Sequence, residues 1–331
     1  MEPLFFKKAN NSDHADEFRR CLPVNVNTSF ATLAPAIATA EQQRLLPVLG
    51  DALFTDAAAY YFNHDDDGDD PVMNRLVELT QMAVVRLAYW DSFDQLSVMM
   101  GDRGISDSNG ENRAYRYQAD ALRASLLRQG YAFINQLIGH CTAHIDTLPL
   151  FAQSPYYTER QQSVIHTMEE FDRLVDIGGD FTVFMRLRQH IAETEYMELP
   201  YRIGPTLATA LVNDRDNQAY DTVRDALMGF TAHWSMAMAV PFLNLRHTAD
   251  GIVVTAEKSG QGRTADTPTE QQVQALAMRH KQTAERYIGQ AVTYMKAHAD
   301  LFPAIGEIGT ATDHEHSAST RDNRGKKTFL V

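Results

Sequence analysis

Two cysteines in 331 residues, Cys21 and Cys141, stand far apart and in unlike contexts. Neither a disulfide framework nor a four-cysteine zinc site can be built from them. No apolar run approaches the roughly 20 residues that a bilayer-spanning helix needs. The opening residues, Met1 to Lys8, put a short apolar patch (Leu4, Phe5, Phe6) before two lysines. That order is the reverse of a secretory signal, so an intracellular origin is expected. Positive charge is also scarce: 30 Lys and Arg against 43 Asp and Glu leave a formal charge of -13. Non-specific nucleic-acid binding needs clustered Lys and Arg and is disfavoured. An acidic surface still permits DNA to slide past without being gripped.

Catalytic signatures are missing as well. No Ser-His-Asp ordering, nucleophile elbow or Rossmann fingerprint appears. Ser259-Gly260-Gln261-Gly262-Arg263 lacks the Gly-Lys-Ser/Thr ending of a P-loop. Gly178-Gly179-Asp180-Phe181 has the letters of a diguanylate cyclase signature but precedes a helical stretch instead of turning a hairpin. No catalytic residue, cofactor-binding residue or metal ligand is assigned, and no cofactor is expected.

What is present is ordinary globular material, 44% apolar and 22% charged, in a chain long enough for two cores. Its most informative feature is self-similarity. Leu45-Leu46-Pro47-Val48-Leu49-Gly50, followed by Leu53, returns 154 residues later as Leu199-Pro200-Tyr201-Arg202-Ile203-Gly204, followed by Leu207. Each corner follows a helical pattern, Leu33, Ile37 and Ala40 in one case and Phe184, Leu187 and Ile191 in the other. Leu76, Leu79, Ala83 and Leu87 match Val223, Ala226, Phe230 and Trp234 at an offset of 147. A hairpin signal follows each: Gln95 to Met100 with Gly104, and Leu243 to Thr248 with Gly251, the glycines supplying a positive φ for the turn. Two long helices then match at 154: Tyr115, Ala119, Leu122, Leu126, Phe133, Leu137 and Cys141 against Val273, Ala277, His280, Ala284, Tyr287, Ala291, Met295 and His298. Both finish alike, with His144, Asp146, Leu148 and Pro149 against His298, Asp300, Phe302 and Pro303.

The changes of offset fall in Asn63 to Asp70 and near Gly260 to Asp266, polar stretches where insertions cost little. The expected fold is mainly α: two similar helical modules from an internal duplication, each with an inserted β-hairpin. An N-terminal arm occupies 1–29, module 1 occupies 30–150, and a helical connection occupies 151–180, helical over Tyr157 to Val175. Module 2 occupies 181–305 and an extended polar tail 306–331. Pro71 suits the first position of its helix, with Asp69 and Asp70 as caps.

Several groups invite a chemical reading. Asn63, Asp65, Asp67 and Gly68 imitate the start of an EF-hand, but Asn74 stands where the closing glutamate belongs, so a solvated capping loop is expected. His140 and His144 share a helical face, yet no glutamate completes a zinc-protease pattern, and a polar tip beside the helix end is the simpler reading. His314-Glu315-His316 lies in the polar tail without a supporting shell. Glu169-Glu170 and Glu193-Glu195 read as solvated helix faces.

Leu45 to Phe54, the helix end Ala297 to Ile305 and the segment Lys326-Lys327-Thr328-Phe329-Leu330-Val331 give the chain a resemblance. It resembles the helical head–tail connector or adaptor proteins of tailed bacteriophages, most of all an uncharacterised group from Bacteroidetes phages and prophages. The resemblance implies a structural virion protein, assembled in the host bacterial cytoplasm as a ring homo-oligomer below the portal. Portal or tail components would be its partners, DNA would pass through without specific binding, and no membrane would be involved. Lys326, Lys327, Thr328, Phe329, Leu330 and Val331 would bind a neighbour. Connector subunits of this type are single small modules, whereas this chain is doubled. Two other readings remain open at this point: an intracellular helical protein–protein adaptor, or a metal-dependent enzyme using the acidic loop or the histidines.

Overall fold

The architecture comes from a computed structural model, which describes residues 3–6, 17–18, 20–22, 30–63, 70–96, 98–101, 104–107, 116–213, 217–243, 245–248, 251–254 and 268–302. The described chain is mainly helical and divides into two compact units. Unit 1 comprises Met1–Gln161, Asp176–Arg186 and Asn244–Thr269; unit 2 comprises Gln162–Val175, Leu187–Leu243 and Glu270–Val331.

In unit 1, helix α1 (Phe30–Ala40) buries Leu33, Ile37 and Ala40 and runs into a π-helical turn, Glu41–Leu45. Helix α2 (Leu46–Asn63) follows and is kinked at Gly50, whose φ of 76° and ψ of 157° are not helical. Only glycine adopts that backbone without strain. The kink also needs the missing side chain, because a Cβ there would lie 3.0 Å from the Ser154 Cα. Helix α3 (Pro71–Asp91) starts as the sequence requires. Pro71 holds the first position and the Asp70 carboxylate accepts from the Val72 and Met73 amides at 2.9 and 3.1 Å. Leu76, Leu79, Ala83 and Leu87 are all buried on it. Short helix α4 (Phe93–Leu96) leads to β1 (Val98–Gly101), antiparallel to β2 (Gly104–Asp107).

Helix α5 (Arg116–Ala143) packs along α3. Its buried stripe is Leu126, Ile134, Leu137, Ile138 and Cys141, with Gly130 directly against Leu87. Leu122, expected on that stripe, is half exposed instead, because the first turns of α5 lie ahead of its buried face. After buried Leu148, a 3-10 turn (Pro149–Gln153) and helix α6 (Pro155–Gln161) return against α2.

The expected helix from Tyr157 to Val175 is two helices. Chain 162–167 is non-helical, a turn and bends, between α6 and α7 (Met168–Leu174). A capping box starts α7: the Thr167 hydroxyl accepts from the Glu170 amide, and Glu170 accepts from the Thr167 amide in return. Gly178 and Gly179, both at positive φ, then turn the chain. Asp180 caps the next helix, α8 (Phe181–Glu193), through the Thr182 amide at 2.8 Å.

From α8 onward the chain runs through the same sequence of elements. A π-helical turn, Thr194–Glu198, extends α8 into α9 (Leu199–Ile203). Gly204 follows at φ 85° and ψ 145°, nearly the backbone of Gly50. Helix α10 (Pro205–Asn213) precedes α11 (Asp221–Ala239), which packs on the long α12 (Glu270–Ala297). Between them in the chain, β3 (Leu245–Thr248) pairs with β4 (Gly251–Val254), a hairpin whose residues fall in unit 1. The register sets Gly104 opposite Gly101 and Gly251 opposite Thr248, so each glycine is the first paired residue after a two-residue loop, not a residue inside it. Gly229 on α11 faces the Tyr287 ring. The buried face of α12 is Ala284, Ile288, Ala291 and Met295, and buried Phe302 follows, where Leu148 follows α5.

Candidate functional site

The two π-helical turns each place a glutamate at an equivalent position, Glu41 and Glu195, 154 residues apart, and both do the same work. Glu41 is 1% exposed. Its carboxylate accepts from the Leu4 amide at 2.8 and 3.1 Å and from the Phe5 amide at 3.1 Å. Phe5 and Phe6 are thereby held in the core of unit 1, with Phe5 edge-on to Phe54 at 5.3 Å. Gln81 adds a third pin, donating to the Phe5 carbonyl at 2.8 Å. Burial raises the Glu41 carboxyl to about 7, against which the two amide bonds favour the anion.

In unit 2, Glu195 accepts from the Val164 amide at 2.7 Å and the Ile165 amide at 3.4 Å, and lies 2.9 Å from the Ser163 hydroxyl. Val164 and Ile165 are buried, as Phe5 and Phe6 are. A short non-helical strap is thus tied by its backbone to a π-turn glutamate in each unit. The sequence pattern puts Glu193-Glu195 on a solvated face, which holds for Glu193 and not for Glu195, and gives no sign of Glu41. The recoverable signal was their equivalence across the repeat, since a contact 36 residues away leaves no local period.

A cleft of about 300 Å³ opens in unit 1, lined by polar groups that include Glu17, Tyr61, Glu78 and Gln81. Tyr61 donates to Glu17 at 2.7 Å, so part of this wall is committed to holding the chain near residue 17.

On unit 2 the second π turn is chemically unlike the first. Tyr196 is 84% exposed, Met197 61% and Tyr201 46%. Spacings of four and five bring these side chains to one face of the π-turn and α9. The equivalent positions of the first copy hold Gln42, Gln43 and Pro47. Beside the face, Arg202 forms a bidentate pair with Glu285 at 2.8 and 3.1 Å and lies 5.2 Å from the Trp234 ring centre.

The histidines divide in role. His140 Nε2 lies 2.9 Å from the Val72 carbonyl, and its ring is 4.7 Å from that of His144. At the matching helix end Tyr294 stacks on His298 at 4.2 Å, and His298 Nδ1 lies 2.9 Å from the Tyr294 carbonyl. The ring pair is thus repeated with one histidine replaced. His233 and His280 face each other Nδ1 to Nδ1 at 2.9 Å between α11 and α12. Burial first, and the His280 charge second, lower His233 to about 4. Cys21 and Cys141 are buried, which pushes both thiols up to about 12 and suppresses thiolate chemistry. Among the described residues no group of three or more His, Cys, Asp and Glu is placed to hold a metal. No described helix is long and apolar enough to cross a membrane. The EF-hand-like stretch 64–69, the loop 259–263, the tail histidines and the partner segment Lys326 to Val331 lie outside the described residues.

These features define a helical protein whose frame occurs twice, with the clearest difference between copies on the outer face of the π turn. One family model matches both copies, over residues 45–161 and again over 189–314. The chain belongs to that family, DUF6712, described as a family of unknown function. No curated protein and no solved structure matches the chain.

Proposed function

We propose that this chain is a structural assembly protein of a phage-type particle, a head–tail connector or adaptor that forms a ring below the portal. The observation that carries this reading is the repeated frame. One family domain occurs twice, and each copy repeats a strap, a π-turn glutamate, a glycine corner and a pair of packed long helices. The resemblance of Leu45 to Phe54 and Ala297 to Ile305 to connector proteins points the same way. On this reading the chain is an internal duplication with a β-hairpin in each copy, and the duplicated unit reaches from the strap to the end of the family match, 3–161 and 163–314. A ring of such chains presents two kinds of module in alternation, and the formal charge of -13 suits a lumen that DNA crosses without being held.

The test is mass photometry of the purified chain, alone and with a purified portal ring. A discrete species of many subunits, or co-migration with the ring, supports the proposal. A monomer under both conditions defeats it. A second reading, a helical adaptor for another cellular protein, is favoured by the apolar face at Tyr196, Met197 and Tyr201, which fits a protein partner in either setting.

A further inference from the structure

The duplication provides an internal control for the exposed face of unit 2. Both copies build the same π-helical turn, yet one carries Gln42, Gln43 and Pro47 where the other carries Tyr196, Met197 and Tyr201. The fold therefore does not need aromatic or methionine side chains at these positions. Aromatic residues and methionine, exposed where the twin carries two glutamines and a proline, are the composition of a protein-binding patch.

The surroundings specify what it takes. Glu193, one turn before Met197, is 44% exposed at its side chain, and Glu198 borders the patch at 33%. Glu198 lies 3.9 Å from Arg202, whose guanidinium is held chiefly by Glu285 at 2.8 Å, so the border carries net negative charge. An apolar segment flanked by basic residues complements this face. The chain contains such a segment in Lys326-Lys327-Thr328-Phe329-Leu330-Val331, two lysines followed within two residues by an apolar triplet. The roughly 24 residues between buried Phe302 and Lys326 span up to about 80 Å when extended, so length does not prevent the approach.

We infer that Tyr196, Met197 and Tyr201 form the docking face for the segment Lys326–Val331. Phe329 and Leu330 lie against the aromatic and methionine side chains, and Lys326 and Lys327 lie toward Glu193 and Glu198. This goes beyond the ring proposal and does not depend on it, because the face can be read by peptide binding whatever the chain's oligomeric state.

The test uses a fluorescent peptide of residues 322–331 and the full chain carrying F329S/L330S, which removes competition from its own segment. Saturable binding is expected by fluorescence anisotropy. Adding Y196Q/M197Q, the residues the twin carries in the same turn, should weaken binding roughly tenfold or more, the loss typical of removing central apolar anchors. A peptide with both lysines changed to glutamate should also bind more weakly, and that comparison leaves the protein untouched. Absence of binding, or binding indifferent to both changes, overturns the inference and assigns the face to a second copy or another partner.

Discussion

Glu41 and Glu195 show how a single residue type can close a helical module. A π turn widens the helix by one residue and turns the glutamate inward, where two amides of a non-helical strap need an acceptor. Replacing Glu41 by alanine leaves the Leu4 and Phe5 amides buried without a partner. That costs about 2 kcal/mol on the scale of an unsatisfied buried group. The expected outcome is a loss of hydrogen-exchange protection confined to residues 3–6 and their neighbours Phe54 and Gln81. Glu195→Ala should do the same for 163–166 and leave the first strap protected. Glutamine at either position keeps one acceptor oxygen and should lose less. If either alanine variant exchanges like the unsubstituted chain, the carboxylates are not what holds the straps.

At the scale of elements, the glycine corner fixes how each second helix leaves the first. Gly50→Ala meets both a φ of 76° and the Ser154 Cα at 3.0 Å, so it should destabilise by about 1–3 kcal/mol, toward the upper end. Gly139 and Gly289 sit inside α5 and α12 with nothing within 4 Å of a Cβ. Alanine there should stabilise by about 0.5–1 kcal/mol through helix propensity alone. Urea denaturation of the three variants checks both signs. The sequence made the corner legible because Leu-Pro and a glycine recur at the same interval, and the helix cores were legible from their period. Three things were not. The break at 162–167 was hidden inside a helix-like pattern, because the Thr167–Glu170 box and the Glu195 contact that impose it are respectively a subtle local motif and a distant one. Leu122 was placed on the core stripe because periodicity finds a face without telling where the partner helix begins. The aromatic face at Tyr196 and Tyr201 was likewise invisible, since an apolar residue on a helix reads as buried until the structure shows which side faces out. Lys326 to Val331 could be singled out only by composition and resemblance.

For the whole molecule, the two units should answer acid in opposite directions. Glu41, in unit 1, has its carboxyl raised from 4.5 to about 7, chiefly by burial. Its native state binds more protons than the unfolded chain between those values, so this contribution to stability grows as the pH falls from about 7 towards 4.5. Asp91 in the same unit is raised too, again by burial, although Arg44 and Arg123 pull it down. In unit 2, His233 is lowered from 6.5 to about 4 by burial and by His280, which is itself lowered by burial and by Arg279. Those rings are neutral when folded and take up protons on unfolding, so this contribution is lost as the pH falls through 6.5 towards 4. The chain's two tryptophans separate the units, Trp90 lying in the first and Trp234 in the second. Urea unfolding followed by Trp90 in a Trp234→Phe chain should shift to a higher midpoint between pH 7.5 and pH 5, and the shift should flatten on Glu41→Gln. Followed by Trp234 in a Trp90→Phe chain, the midpoint should fall over the same interval and flatten on His233→Gln. Parallel shifts at both reporters would mean that the buried carboxylate and the histidine pair do not set the pH response of their units.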